Sequence, residues 1–270
     1  MINYFFFPES YKGIDIVYIK ESIDKLNEAM MMKDKNETFY EDSSFYITEY
    51  EDKQFLHEKL SKSYKDLTNR VIPSMFRRMK RTSLKVVDDI LTLNAQYPDV
   101  WSNCLWGWFN EEDRHHIYSY DYFASNRKTI AKKNSTGMNF HETMSLLLDK
   151  VQISSNAMGQ IRNLGNGDDF KKVLDSICSL DSYNTTSWNT GGFQVNVLLR
   201  NYNVTISDES DTVKKKPQLK QKRYFKVSDE IGSQYCFYHV KLNDIRIHIY
   251  PDEDKKVIYV AYVGAHLDLG

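Results

Sequence analysis

The sequence predicts an α+β protein, with a mostly helical N-terminal part and a C-terminal antiparallel β-sheet. Three observations carry this expectation. Apolar residues recur at helical spacing through much of residues 1–207. A charge-blocked polar stretch, 208–222, then breaks the pattern and reads as an exposed connector. Beyond it, residues 223–270 hold runs of β-branched and aromatic residues that alternate with polar ones. Helices from 170–202 are available to complete that sheet.

Composition bounds the rest. A chain of 270 residues has room for one large domain or two ordinary ones, and 41% hydrophobic and 14% aromatic content can fill a core. The net charge of −1 argues against a nucleic-acid partner for the protein as a whole. Locally the balance differs: residues 196–270 carry 12 Lys/Arg against 10 Asp/Glu, a net +2, and the remainder carries 24 against 27, a net −3. Cys104, Cys178 and Cys236 lie far apart with no CxxC or zinc-like spacing, as expected of thiols in a reducing compartment. MINYFFFPES is apolar but short and lacks a basic leader, and no run reaches the roughly 18–20 apolar residues of a membrane span. A cytoplasmic protein with no membrane partner is expected.

Taken in order, Ile2–Phe7 reads as a short strand ended by Pro8. Ile19, Ile23, Leu26 and Met30 predict a helix over about 17–33. Ser44–Tyr50 reads as a weak strand. Phe55, Leu56, Leu60, Tyr64 and Leu67 predict a helix over 53–70 that Pro73 punctuates. Leu84, Val87, Ile90, Leu91 and Leu93 predict another over 83–97. Trp101–Phe109 is an aromatic cluster suited to a core, or to base stacking, and Glu111–Lys133 reads as an irregular polar segment. Helices follow over 139–154, 170–180 and 193–202, then a short strand over 204–207. NLGNGDD (163–169) is a turn and helix cap; it lacks the GK[ST] of a phosphate-binding loop. Arg77, Arg81 and Lys85 share a helix face, read either as a solvated surface or as an RNA phosphate contact.

The C-terminal runs are Gln234–Leu242, Ile245–Tyr250 and Lys256–Val263, with Tyr224–Val227 as a further edge. A turn at Asn243-Asp244 sets the register. Leu242 then opposes Ile245, Val240 opposes Ile247, and Tyr238 opposes Ile249 on an apolar face. On the other face Lys241 opposes Arg246, His239 opposes His248, and Phe237 opposes Tyr250. Like charges directly across a sheet are unfavourable. Water, an acid from elsewhere in the chain, or a bound phosphate would each relieve them. A histidine can move a proton near neutral pH, and an arginine can stabilise charge on a phosphate. No carboxylate accompanies the histidines on that face, so neither a metal nor any other cofactor is expected.

These residues also carry a resemblance. YCFYHVKLNDIRIHIYP (235–251) and KVIYVAYVGAHL (256–267) resemble the C-terminal half of RelE/ParE-type toxins, over about residues 223–267. The resemblance implies a small meander whose face cleaves messenger RNA on the ribosome without metal. It implies catalytic roles for His239, Lys241, Arg246 and His266, with His248 as an additional candidate. Lys226, Tyr250, Lys220, Lys222 and Arg223 would bind RNA. RNA or the ribosome, and an antitoxin or other protein, are the implied partners, in a toxin–antitoxin or phage-defence setting. The competing reading from the residues alone is a non-catalytic interaction protein whose basic face binds nucleic acid or an acidic protein.

Overall fold

Ile2–Phe6 and Ser102–Trp106 pair in parallel at the centre of a sheet that helical periodicity does not announce. The computed structural model describes residues 1–51, 53–83, 85–86, 88–109 and 115–267. They fall into two units, Met1–Asn134 and Ser135–Gly270.

In the first unit the strands are β1 (Ile2–Phe6), β2 (Glu37–Glu41), β3 (Glu49–Glu51), β4 (Gln54–Phe55), β5 (Lys80–Arg81), β6 (Ser102–Trp106) and β7 (His116–Ile117). β3 and β4 form a hairpin of their own. The other five make a sheet of order β5-β2-β1-β6-β7, with every neighbouring pair parallel. Counted along the chain this is the 3-2-1-4-5 order of open, doubly wound sheets. Helices α1 (Ile16–Met31), α2 (Leu56–Ser63), α3 (Ile72–Arg78), α4 (Ile90–Gln96) and α5 (Tyr120–Asn134) accompany it.

Strand alternation divides the core in two. Phe5 and Leu105 pack with Leu93 of α4 on one face. On the other, the Phe123 ring of α5 lies 5.1 Å from Tyr4 and 5.6 Å from Trp106, and the Trp106 indole donates to the Ser22 carbonyl of α1. A strand covered on both faces is buried on both, so its apolar residues do not keep to a period of two. For that reason the expected mainly helical domain over 1–207 is instead, in its first half, a parallel α/β layer.

Other expectations shift with it. Asp15 accepts from the Val17 amide and starts α1 where expected. Pro73 lies in the first turn of α3 and opens that helix, because its missing N–H costs nothing there. The segment expected to be irregular contains α5, anchored by buried Phe123, Asn126 and Ala131. In place of a strand over 44–50, a tight 3-10 turn at Ser44–Tyr46 precedes β3. α4 begins at Ile90; Leu84 and Val87 lie outside the described residues, as do residues 111–114.

The second unit runs α6 (Phe140–Leu147), β8 (Gln152–Ile153), α7 (Ser155–Asn163), α8 (Asp168–Thr186), α9 (Val195–Tyr202), β9 (Ile206–Ser207), α10 (Asp211–Lys215), α11 (Pro217–Gln221), then β10 (Tyr224–Ser228), β11 (Gly232–Tyr235), β12 (Tyr238–Leu242), β13 (Ile245–Asp252) and β14 (Val257–Ala265). The main sheet has the order β8-β14-β13-β12-β9. Its β12-β13-β14 meander is antiparallel, and β8 joins β14 in parallel, so the sheet is mixed rather than purely antiparallel. β10 and β11 pair as a separate hairpin, because the expected long strand from Gln234 breaks at Cys236 and Phe237. α8 packs against β12 and β14, as expected of helices from 170–202. Buried Asp181 of α8 accepts the amides of Asp149, Lys150 and Val151, which fixes the chain as it enters β8. The expected connector is not a free linker: α10 and α11 bury Val213 and Leu219.

Gly137 has no room for a side chain. An added Cβ would stand 2.4 Å from the Ile161 carbonyl oxygen and 2.8 Å from that of Gly165, both backbone atoms. Its own amide donates to the Gly165 carbonyl at 2.6 Å. Gly137→Ala should therefore destabilise the second unit by about 2–3 kcal/mol, measured as a lower urea midpoint at unchanged slope.

Candidate functional site

The β12–β13 hairpin has the register that the alternation predicts. Tyr238 opposes Ile249, His239 opposes His248, Val240 opposes Ile247, and Lys241 opposes Arg246. Asn243 takes a left-handed conformation in the turn, at φ 47°. Val240, Ile247 and Ile249 are buried on one face. The other face splits. Lys241 is exposed and Arg246 half-exposed, whereas His239 and His248 are 7% and 2% exposed, with ring centroids 5.2 Å apart.

What covers the histidines comes from the segment before the hairpin. β9 pairs beside β12, with Ser207 opposite His239. The chain leaves β9 directly over that face and delivers Glu209, which is also buried. Glu209 Oε1 lies 3.8 Å from His239 Nδ1, 3.9 Å from His248 Nδ1 and 3.2 Å from Arg223 Nε. Ser210 then caps α10 by accepting from the Val213 amide. Arg223, 1% exposed, also donates to the carbonyls of Leu219 and Leu267. The site is thus a buried Arg223–Glu209 ion pair roofing two opposed histidines.

Both histidines are held neutral. Burial, followed by the Lys241 and Arg246 charges, lowers His239 to about 4. Burial lowers His248 to about 4, against the Cys236 carbonyl, which favours its protonated form. That carbonyl lies 3.1 Å from His248 Nδ1 and can only accept, so Nδ1 carries the proton and Nε2 the lone pair. The contacts of Glu209 with the histidines are therefore not ion pairs at neutral pH. Burial also pushes the Cys236 thiol up to about 12, which leaves it unreactive.

Glu209, His239 and His248 offer ligand atoms within 4.8 Å of one another, which corrects the expectation that no carboxylate joins the histidines. The set has the right chemistry for a zinc-like ion. Its surroundings oppose one: Arg223 already binds the carboxylate, and Arg246 and Lys241 add cationic charge beside His239.

The other sequence candidates scatter around this centre. Arg223 is enclosed and not available to RNA. His266 is exposed at the end of β14. Tyr250 packs against Val227, Cys236, Tyr259 and Ala261. Lys226 is exposed and pairs with Asp229 at 2.5 Å, on a groove lined by Ser154, Ser155 and Asn156. Lys222 is exposed, and the Lys220 ammonium stands 5.0 Å over the Tyr235 ring. That ring belongs to a run of aromatics. Tyr224 and Tyr235 stack at 5.4 Å, Tyr235 and Phe237 lie 5.7 Å apart, and Phe237 and Tyr238 lie 4.2 Å apart. Tyr224 is 41% exposed and the other three are half-buried. Glu209 escaped the sequence reading. The available signal was Val213 and Leu219, whose spacing marks a packed segment that could carry a neighbouring acid inward.

The neutral histidines couple stability to pH. Their folded values near 4 lie below the roughly 6.5 of an exposed imidazole, so the unfolded chain protonates first as pH falls. Stability is fully present above about pH 6.5 and declines down to about pH 4, by about 3 kcal/mol for either histidine. Urea titrations across that range should show the decline, and His248→Asn should remove about half of it, leaving the part due to His239. Glu209→Ala leaves the Arg223 charge buried and unpaired and should cost about 3–5 kcal/mol. The double variant Glu209→Ala/Arg223→Met should recover much of that loss in the same assay.

Family models, curated proteins and solved structures were all compared with this chain, and none matches it.

Proposed function

We propose that the second unit is an RNA-binding module with a RelE-like sheet, which grips a single strand through its aromatic run and the lysines beside it. The observation that carries this reading is the strip Tyr224–Tyr235–Phe237–Tyr238 with Lys220 over its centre. Successive bases stack on such rings, and lysines follow the backbone. Lys222, Lys241 and Arg246 extend the positive charge along the same unit. Net charge near zero does not oppose this, because phosphate contact depends on local clustering.

A ribonuclease reading rests on neutral His239 beside Lys241 and Arg246, an acid–base and charge-stabilising set. Enclosure under Glu209 separates His239 from any strand lying on the surface, where Lys241 is exposed. Binding without cleavage is therefore the resting behaviour proposed for this chain. Toxin-related cleavage would require the histidines to open.

Fluorescence anisotropy with a single-stranded oligoribonucleotide and a duplex of equal length tests the reading. The single strand should bind more tightly, with affinity falling as salt rises. Tyr224→Ala, at the exposed ring of the run, should weaken it by roughly 5- to 100-fold, the loss of about 1–3 kcal/mol of stacking. Lys220→Ala should reduce the salt slope by about 0.7. Equal binding by wild type and Tyr224→Ala, or no salt-dependent binding at all, would remove the proposal. Intact RNA after incubation, with and without ribosomes, is the expected companion result.

A further inference from the structure

The space under the 208–222 segment carries the signature of an anion site that already holds an internal anion. Arg223 and Arg246 are cationic, Lys241 adds a third positive charge, and the two histidines are neutral. Among the described residues, the buried carboxylate that answers them is Glu209, 3.2 Å from Arg223. A carboxylate has two oxygens, and Glu209 Oε1 is taken by Arg223. Three polar atoms of this unit are buried and without a hydrogen-bond partner: the Tyr235 hydroxyl, His239 Nδ1 and Arg246 Nε, the last on a guanidinium whose Nη1 donates to the Asn243 and Ile245 carbonyls. The His239 side chain is only 9% exposed. The Tyr235 hydroxyl feels the Glu209 charge, and His239 feels those of Arg246 and Arg223. A buried polar atom without a partner costs about 1–3 kcal/mol, so His239 Nδ1, 3.8 Å from Glu209 Oε1, and the Tyr235 hydroxyl, within the field of that carboxylate, ask for an occupant. That occupant must satisfy two N–H or O–H donors and tolerate a positive surround. A tetrahedral phosphate, with more acceptor oxygens than a carboxylate, does both.

We infer that Glu209 is an internal stand-in for a phosphate group, and that this pocket takes a phosphate of the RNA backbone when the 208–222 segment lifts. The inference rests on the RNA-binding reading above and adds to it a second, enclosed subsite. The segment is suited to exchange. α10 and α11 are five residues each, and Val213, Leu219 and Glu209 are its buried anchors among the described residues. Displacing Glu209 by phosphate leaves Arg223 paired, so the exchange never exposes a bare buried charge. It would also bring RNA beside His239 and His248.

The test uses the full chain as wild type and as Glu209→Gln, which keeps the shape and removes the charge. Inorganic phosphate is titrated while the His239 and His248 C2–H resonances and the thermal midpoint are followed. Phosphate should shift both resonances and raise the midpoint of Glu209→Gln at concentrations at least tenfold below those needed for wild type. The single-stranded oligoribonucleotide should likewise bind Glu209→Gln at least tenfold more tightly. Equal phosphate response in the two proteins would overturn the inference, while RNA binding that depends on Tyr224, which lies in the aromatic run and not in this subsite, would leave the broader reading standing. Loss of RNA binding from both proteins would instead remove the reading on which it rests. Stabilisation of wild type by zinc and not by phosphate would overturn it in favour of a cation site. Should Glu209→Gln fail to fold, Glu209→Asp keeps the charge but withdraws it by one methylene. The same comparison then applies, with the same direction required.

Discussion

A fully buried guanidinium must be neutralised by something equally buried, and in the second unit that demand falls on Arg223 and Glu209. The pair does more than balance charge. Arg223 stands just before β10 and donates to carbonyls of Leu219 and Leu267, so one side chain ties α11, the strand hairpin and the end of the chain together. Glu209 comes from the opposite end of the 208–222 segment. The ion pair therefore closes that segment over the sheet like a clasp. Breaking it from one side leaves an uncompensated charge, which is much worse than losing both partners.

The clasp sets the state of the histidines. On an open sheet face, His239 and His248 would titrate near neutral pH and meet solvent. Enclosed with three cationic side chains nearby, they stay neutral well below it. Their polar atoms are satisfied unequally: His248 finds the Cys236 carbonyl, while His239 Nδ1 finds nothing. This asymmetry, together with the unpaired Tyr235 hydroxyl and Arg246 Nε, separates the site from an ordinary buried polar cluster, in which partners are complete. The aromatic run Tyr224–Tyr235–Phe237–Tyr238 continues from the Tyr235 hydroxyl out to Tyr224, which is 41% exposed.

The first unit follows a separate logic. Its parallel strands are covered on both faces, and the two that carry most of the core, β1 and β6, are almost wholly buried, with Asn3, Ser102 and Asn103 as their polar residues. Asn3 and Asn103 sit between them and bond to each other at 3.0 Å, because a polar side chain buried in such a sheet must find a partner there. No helix of the described residues is long and apolar enough to cross a membrane.

Local pattern determined the C-terminal hairpin. With side chains alternating at a period of two and one face apolar, only one register keeps Val240, Ile247 and Ile249 inside, and the structure has that register. The extents of α1 and α9 and the start of α8 were legible to within about two residues, since caps and apolar stripes act within one turn, whereas α8 runs on to Thr186, past the expected end at Leu180. The parallel sheet was not legible. Strands buried on both sides lose the alternation, and β5 and β7 are two residues long. Nor could sequence spacing show which of His239, Lys241, Arg246 and His248 would meet water, because the residue that decides it, Glu209, is thirty positions before His239 and reaches it only through the β9–β12 pairing. The sequence by itself determined which side chains share a face of the sheet. Tertiary structure decided what covers that face, because burial and charge pairing depend on segments that periodicity cannot connect.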